Sequence, residues 1–176
     1  MTIKKLLRIG DPVLLQKSEP VEEFNTPELN QLVQNLFDTM EAFDGAGIAA
    51  PQIGVLQRVV VFDVKNNPRY PGRDPVPRTI LINPTIDYLS QEIVDDWEGC
   101  LSVPGMRGLV PRHTHIRYTG YDQYGEKIDR EVTGFHARVV QHECDHLYGV
   151  LYPQRIKDMT QFGYKDELFP DEEITT

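Results

Sequence analysis

Apolar positions in the first quarter of the chain recur at helical spacing. Leu29, Leu32, Val33, Leu36, Phe37, Met40 and Phe43 fall on one stripe. Thr26 offers a side-chain acceptor for the first turn and Pro27 suits the first helical position, so an N-terminal amphipathic helix is predicted from there, with Gly45 turning the chain at its end. Extended segments follow. The apolar runs Arg58 to Val64 and Thr79 to Ile82 read as strands, with a further extended stretch near Thr85 to Leu89. His115 to Tyr121 and Lys127 to Thr133 alternate around Asp122-Gln123-Tyr124-Gly125, which predicts a hairpin. The segment from Lys65 to Pro77 holds Pro68, Pro71, Pro75 and Pro77 and reads as a loop.

A second helix is predicted between Gly134 and Gly149. Around its axis, at about 100° per residue, Ala137, Val140, Cys144 and Leu147 cluster at about 140° to 220° from His142 and form the packing face. Arg138, Gln141 and Asp145 lie at roughly 260° to 320° and read as the wet stripe. His146 is only about 40° from His142, so both imidazoles reach one point in space.

That pair sits in His142-Glu143-Cys144-Asp145-His146, an HExxH segment. Two histidines four apart suit one metal ion, and the carboxylate after the first is placed to take a proton from an activated water. A catalytic site of this kind usually takes three protein ligands and keeps one position for water. The extended HExxHxxGxxH pattern fails at its last position, where Tyr152 stands instead of histidine. Two sources of a third ligand remain. Glu167 lies near an acidic terminus, whereas Cys100 is the stronger candidate because Glu98-Gly99-Cys100-Leu101-Ser102-Val103-Pro104-Gly105 reads as a tightly specified turn beside a strand. Cys144 points about 160° from His146 and cannot share its ion. His136 is about 120° from His142 and is no further ligand, and His113 and His115 read as sheet residues.

Gly45-x-Gly47-x-x-Ala50 satisfies a dinucleotide-binding spacing, but a helix precedes it where that fingerprint needs a strand, and Pro51 blocks the helix that should follow. The chain has 18 Lys plus Arg against 27 Asp plus Glu, a formal net charge of -9, which disfavours nucleic acid as a partner. No apolar run suggests a membrane span, and charged residues interrupt the first fifteen positions, so a cytoplasmic location with reduced cysteines is expected. With 176 residues and 40% apolar content, a single catalytic domain over 1–176 is predicted, with a short acidic tail from about 165. The fold class is α+β: small mixed or antiparallel sheets packed around a central metal-binding HExxH helix.

Three separated segments together resemble the peptide deformylase family: Gly45 to Gly54, Glu98 to Ser102, and Gln141 to His146. The resemblance extends from about Ile9 to Tyr164. It implies that Cys100, His142 and His146 bind one divalent metal ion, that Glu143 is the acid/base, and that Gln52 and Leu101 face the reacting carbonyl. It further implies Fe2+ as the ion, with Zn2+, Ni2+ or Co2+ acceptable to the same donors. The implied reaction is hydrolytic removal of the formyl group from N-formyl-methionyl peptides and nascent chains, releasing formate. Gly47, Ile48 and Val139 match positions near the family's methionine pocket, and Arg107 one near the bound peptide backbone. Relatives that meet nascent chains at the ribosome use a basic C-terminal helix, from which Pro170-Asp171-Glu172-Glu173 departs.

Two other classes fit HExxH taken alone. A small metallopeptidase would draw its third ligand from a residue such as Glu167. A structural metal-binding module would close the site with a fourth protein ligand.

Overall fold

The computed structural model describes residues 2–65 and 67–170. The first long element is α1 (Pro27–Ala42), whose N-cap Thr26 accepts a hydrogen bond from Leu29 N at 3.2 Å, with Pro27 in the first turn. Its stripe from Leu29 to Met40 is buried. Phe43 is not: it caps the helix beyond the stripe and is 45% exposed, a correction to its expected burial.

Eight strands follow in two sheets. Strands β1 (Gly47–Ala49), β2 (Val59–Val64), β3 (Val76–Tyr88), β6 (His115–Tyr121) and β7 (Lys127–Thr133) form a five-stranded sheet in the order β1-β2-β3-β6-β7. Strands β4 (Ile93–Cys100), β5 (Val103–His113) and β8 (Phe162–Tyr164) form a three-stranded sheet in the order β4-β5-β8. Every pairing between these strands is antiparallel. The fold is therefore α+β with antiparallel sheets. Helix α2 (Gly134–His146) and the short α3 (Lys165–Leu168) complete it.

Strand β2 shows why its sequence is continuously apolar. Val60 and Phe62 face Ala137, Val140, Cys144 and Leu147 of α2, whereas Val59 and Val61 face Leu32, Leu36 and Met40 of α1. A strand covered on both faces has no solvent side to make polar. The five-stranded sheet is thus held between the two helices, and the α2 face predicted to pack is the one that does.

The predicted hairpin appears with its predicted ends, pairing His115 with Thr133 and Tyr121 with Lys127. Asp122 Oδ1 accepts from Tyr124 N at 2.8 Å and Glu126 N at 3.0 Å in the turn. The two extended stretches at 79–82 and 85–89 are one strand, β3, whose pairing with β6 shifts register between Ile82 and Thr85. Gly149, at φ 71°, ends the α2 segment: its N–H reaches His146 O and Val150 N reaches Asp145 O.

The fold departs from the sequence pattern in three places. Gly47–Ala49, just past the turn at Gly45, is a short edge strand paired with β2. The hairpin β4-β5 buries the charged Glu98 and Arg112 beside Val103 and Val110, so period-two alternation does not display it. Arg138 and Gln141 are 7% and 5% exposed, because the three-stranded sheet covers the face of α2 expected to be wet. Both cysteines are buried and free. Of the expected acidic tail, residues 165–168 form α3 and Asp171–Thr176 lie outside the described residues. Among the described residues no helix is long and apolar enough to cross a membrane.

Candidate active site

The end of β4, one face of α2 and the turn after β1 converge on one point. Strand β4 carries Glu98 inward and ends on Cys100, where the tight turn through Leu101 and Ser102 reverses the chain into β5. Ser102 N donates to Cys100 Sγ at 3.4 Å. Helix α2 presents His142 and His146 side by side, ring centroids 5.2 Å apart. Cys100 Sγ lies 3.5 Å from His146 Nε2, and one donor atom from each of Cys100, His142 and His146 falls within 4.8 Å of the others. Among the described residues this is the one such group, and Glu167 is not in it.

Behind the ring of His142 stands Glu98, 4% exposed, with Oε2 2.8 Å from His142 Nδ1. Arg112 meets the same carboxylate with two hydrogen bonds, Nε to Oε1 at 2.9 Å and a second nitrogen to Oε2 at 3.0 Å. Arg138 adds a third at 2.8 Å and spends its remaining donors on Val110 O and Val94 O. Burial would raise the Glu98 carboxyl, but Arg112 and His142 overcome it and hold the group well below the usual carboxylate range. Asp145 then accepts from Arg112 at 2.6 Å and from Arg155 at 2.7 Å. Arg112 and Glu98 thus pair within a larger buried network. Arg138 and Asp145 are the members that the sequence reading missed. Arg138 is one helical turn before His142, the spacing that also brings His146 onto this face.

Burial alone would push the Cys100 thiol up, yet the adjoining His146 and His142 bring it well below its ordinary value. Such a thiolate with two imidazoles is a soft donor set suited to a transition-metal ion. With Nδ1 of His142 against Glu98, its Nε2 is left for the point shared with Cys100.

Glu143 is buried beside this cluster, and burial pushes its carboxyl up to about 7 against the partial opposition of His142 and His146. Its Oε2 has no hydrogen-bond partner within the protein. Gly47 packs directly on it: a Cβ at position 47 would lie 2.6 Å from Glu143 Oε1. Glycine in the first motif is thus required by the close approach of the carboxylate to strand β1.

Gln52, 1% exposed, is held by Ala49 N, which donates to Oε1 at 2.8 Å. Its Nε2 donates to Ser102 Oγ at 3.1 Å and approaches Cys100 Sγ at 3.4 Å. Its amide N–H donors therefore face the cluster. Leu101 borders both a groove of about 1080 Å³ and a smaller pocket that reaches Glu143. Val139 and Gly47 line the small cavity with Ala46, Tyr70 and Phe135. Ile48 does not: strand alternation turns it to the other face, where it is fully buried against α1. The neighbouring Ala46 occupies the place foreseen for it. Arg107 lines the groove and lies across Gly99, where a side chain would collide with its guanidinium.

Tyr152, where the extended zinc-peptidase pattern would need histidine, is 1% exposed and stacks on the His142 ring at 6.1 Å. His136 instead meets Tyr118 Oη at 3.2 Å, His115 pairs with Glu131 and His113 stacks on Tyr88. None of these enters the cluster.

Comparison with known proteins agrees with the geometry. The family profile described as "Polypeptide deformylase" matches residues 3–162. A protein named peptide deformylase 1 from Nitrosomonas europaea is 60% identical over 172 residues, 98% of each chain. Peptide deformylase 2 from Ralstonia nicotianae is 59% identical over 169 residues, 96% of each. Among solved structures, a class I type b peptide deformylase from Acinetobacter baumannii, described as Met-Ala-Ser bound, superposes with a TM-score of 0.85 at 37% identity, covering 88% of this chain and 99% of that one. The enzyme from Thermotoga maritima gives 0.79 at 37% identity over 90% and 100%. With a buried thiolate, two histidines and an acid beside them at the floor of a groove, and with these relatives matching nearly end to end, the chain belongs to the polypeptide deformylase family, hydrolases that remove the N-formyl group from newly made polypeptides.

Proposed function

We propose that Cys100, His142 and His146 hold one divalent cation and that Glu143 moves the proton in deformylation. The observation that carries this reading is the convergence of the three donor atoms within 4.8 Å, with Glu143 buried beside them and its Oε2 unpartnered. An ion held there supplies Lewis acidity and makes hydroxide available near neutral pH. Three protein donors with no fourth among the described residues leave a position for water and substrate, as a catalytic rather than a structural site requires.

Glu143 takes the proton of the attacking water and later returns it to the departing amine. Its raised pKa suits both halves of that exchange. As the formyl carbon becomes tetrahedral, its oxygen gains charge, and the Gln52 side-chain amide and Leu101 backbone N–H are the proposed donors to it. Gln52 is held in place beforehand by Ala49 and Ser102, so no reorganisation is spent in the transition state. The methionine side chain is assigned to the cavity bordered by Gly47 and Val139, with Ala46 in place of Ile48. The peptide beyond it is assigned to the groove lined by Arg107. A solved relative described as Met-Ala-Ser bound supports a methionyl peptide as the class of ligand.

Ferrous iron is the proposed native ion, and the same donors accept Zn2+, Ni2+ or Co2+. The whole of 1–176 is read as one catalytic domain working in the cytoplasm, where a reducing milieu keeps Cys100 available as thiolate. Nascent chains are met by transient proximity to the ribosome. The test is anaerobic purification, metal analysis and measurement of formate released from a formyl-methionyl peptide. One ion per chain and formate release are expected, both lost in Cys100→Ala. Fully metallated protein that releases no formate overturns the reading.

A further inference from the structure

One wall of the smaller pocket beside Glu143 comes from the proline-bearing loop between β2 and β3. Gly47 on β1 and Val139 on α2 line that pocket from elements fixed by sheet and helix packing, whereas Tyr70 reaches it from the loop. Its neighbours Pro68, Pro71, Gly72 and Arg73 are exposed, yet the Tyr70 ring is partly buried and packs against the core that includes Ala46 and Val139. The loop thus turns an aromatic ring into the site while its prolines stay in water.

The ring is held in place from several sides. Tyr70 Oη donates to Gly99 O at 3.3 Å, one residue before Cys100. Its ring meets that of Phe135, in the first turn of α2, with centroids 5.4 Å apart. Three residues on, Arg73 grips Asp96 of β4 with two hydrogen bonds, Nη1 to Oδ2 at 2.7 Å and Nη2 to Oδ1 at 2.8 Å. The same guanidinium stands 5.5 Å from the Phe135 ring centroid. At the other end of the loop Asn67 Nδ2 donates to Asp44 O at 2.9 Å, just beyond α1. Partly exposed contacts of this kind add little to stability. Their effect is to fix where Tyr70 stands, and a fixed ring in a pocket wall is a limit on what the pocket admits.

We propose that Tyr70 is a specificity-determining residue whose ring sets the size limit for the side chain of the formylated residue, and that the Arg73 to Asp96 pair is the latch that positions it. The inference rests on deformylation at Cys100, His142 and His146 and on the assignment of methionine to this pocket. An unbranched, flexible thioether chain fits between Tyr70 and the fixed wall of Gly47 and Val139. A phenyl side chain in the same place meets the Tyr70 ring, and a packed wall does not take up that added volume without strain. Removing the Tyr70 ring leaves a space of the size that the phenyl group of formyl-phenylalanine fills. Tyr70 therefore works by excluding aromatic residues at the formylated position.

The test measures kcat/KM of the metal-loaded enzyme for the amides of formyl-Met-Ala-Ser and formyl-Phe-Ala-Ser. The methionine-to-phenylalanine ratio is taken within each protein, so a general loss of activity in a variant cancels. Tyr70→Phe, which keeps the ring, is expected to hold the wild-type ratio. Tyr70→Ala is expected to lower the ratio about tenfold or more, through a gain on the phenylalanyl peptide. Tyr70→Leu, which keeps an apolar side chain against Phe135, is expected to move the ratio the same way and carries the comparison if the alanine variant does not fold. Arg73→Ala, which releases the latch and leaves the ring, is expected to lower the ratio by a smaller factor. A wild-type ratio in Tyr70→Ala or Tyr70→Leu, with the methionyl peptide still hydrolysed, overturns the assignment to Tyr70 while leaving deformylation intact. A wild-type ratio in Arg73→Ala overturns the latch.

Discussion

His142 Nδ1 and Glu98 Oε2 are 2.8 Å apart inside a protein interior where neither group is exposed to more than a tenth of its surface. The carboxylate sets which imidazole nitrogen is free for an ion, and two arginines keep it ionised while it does so. Removing it exposes both dependencies.

Glu98→Ala is expected to lose about 3–5 kcal/mol of folding stability, because Arg112 and Arg138 are left as buried charges without their shared partner. Metal affinity should fall about 10- to 100-fold as His142 loses its orienting partner. Glu98→Gln, which keeps the shape, should separate the two effects by losing less stability. Chemical denaturation and a chelator competition measure them; unchanged metal affinity in both variants would refute the supporting role.

Gly47→Ala should act on turnover more than on folding. Position 47 has no left-handed backbone requirement, so the added methyl is felt through Glu143, whose carboxylate must move. A displacement of that kind in a reacting group costs about 10²-fold in kcat. Steady-state formate release and a thermal melt on the same preparation check it.

Gln52→Ala is expected to reduce kcat about 10²- to 10³-fold by removing a donor to the developing oxyanion. The structure adds a stability loss of about 1–3 kcal/mol, because Ala49 N is left buried without its acceptor. A variant with normal turnover and reduced stability would leave Gln52 a structural role only.

The pH dependence of stability carries a contribution from His136. Burial first, and the charge of Arg130 second, lower it from 6.5 to about 4 in the folded protein. Between those values the unfolded chain binds a proton that the folded chain refuses. The contribution is therefore present above about pH 6.5 and is lost as pH falls towards 4. Allowing for solvent screening of this half-buried ring, it amounts to about 1–2 kcal/mol. Urea denaturation of wild type and His136→Gln should show the stability difference between them moving against wild type from pH 7 to pH 4.5. A constant difference would exclude the assignment.

Legibility differed by element, for physical reasons. Helix α1 and the β6-β7 hairpin could be read because each contains its own instructions: a capping Thr26, a repeating apolar stripe, and a turn closed by Asp122. The HExxH pair could be read because helical geometry alone brings His142 beside His146. The hairpin β4-β5 could not. Its inward positions include Glu98 and Arg112, 14 residues apart, and buried charges at such positions break the apolar alternation that marks a strand. Arg138 likewise has the spacing of a wet helix position, although it is buried and donates to Glu98, Val110 O and Val94 O in the interior.

Legible in the sequence were the two long helices, most of the larger sheet, the HExxH pair with its neighbouring acid, and, through three separated motifs, the family. The fold brings the expected Cys100 to the histidines across 42 and 46 positions of chain, and only the fold shows that Gly47 must lack a side chain because Glu143 occupies its space and that Ile48 belongs to the core while Ala46 borders the pocket. The reason is range. Caps, periodicity and i,i+4 spacing act within a few residues, whereas a buried charge, a shared ligand point or a close backbone contact is defined only when distant segments meet.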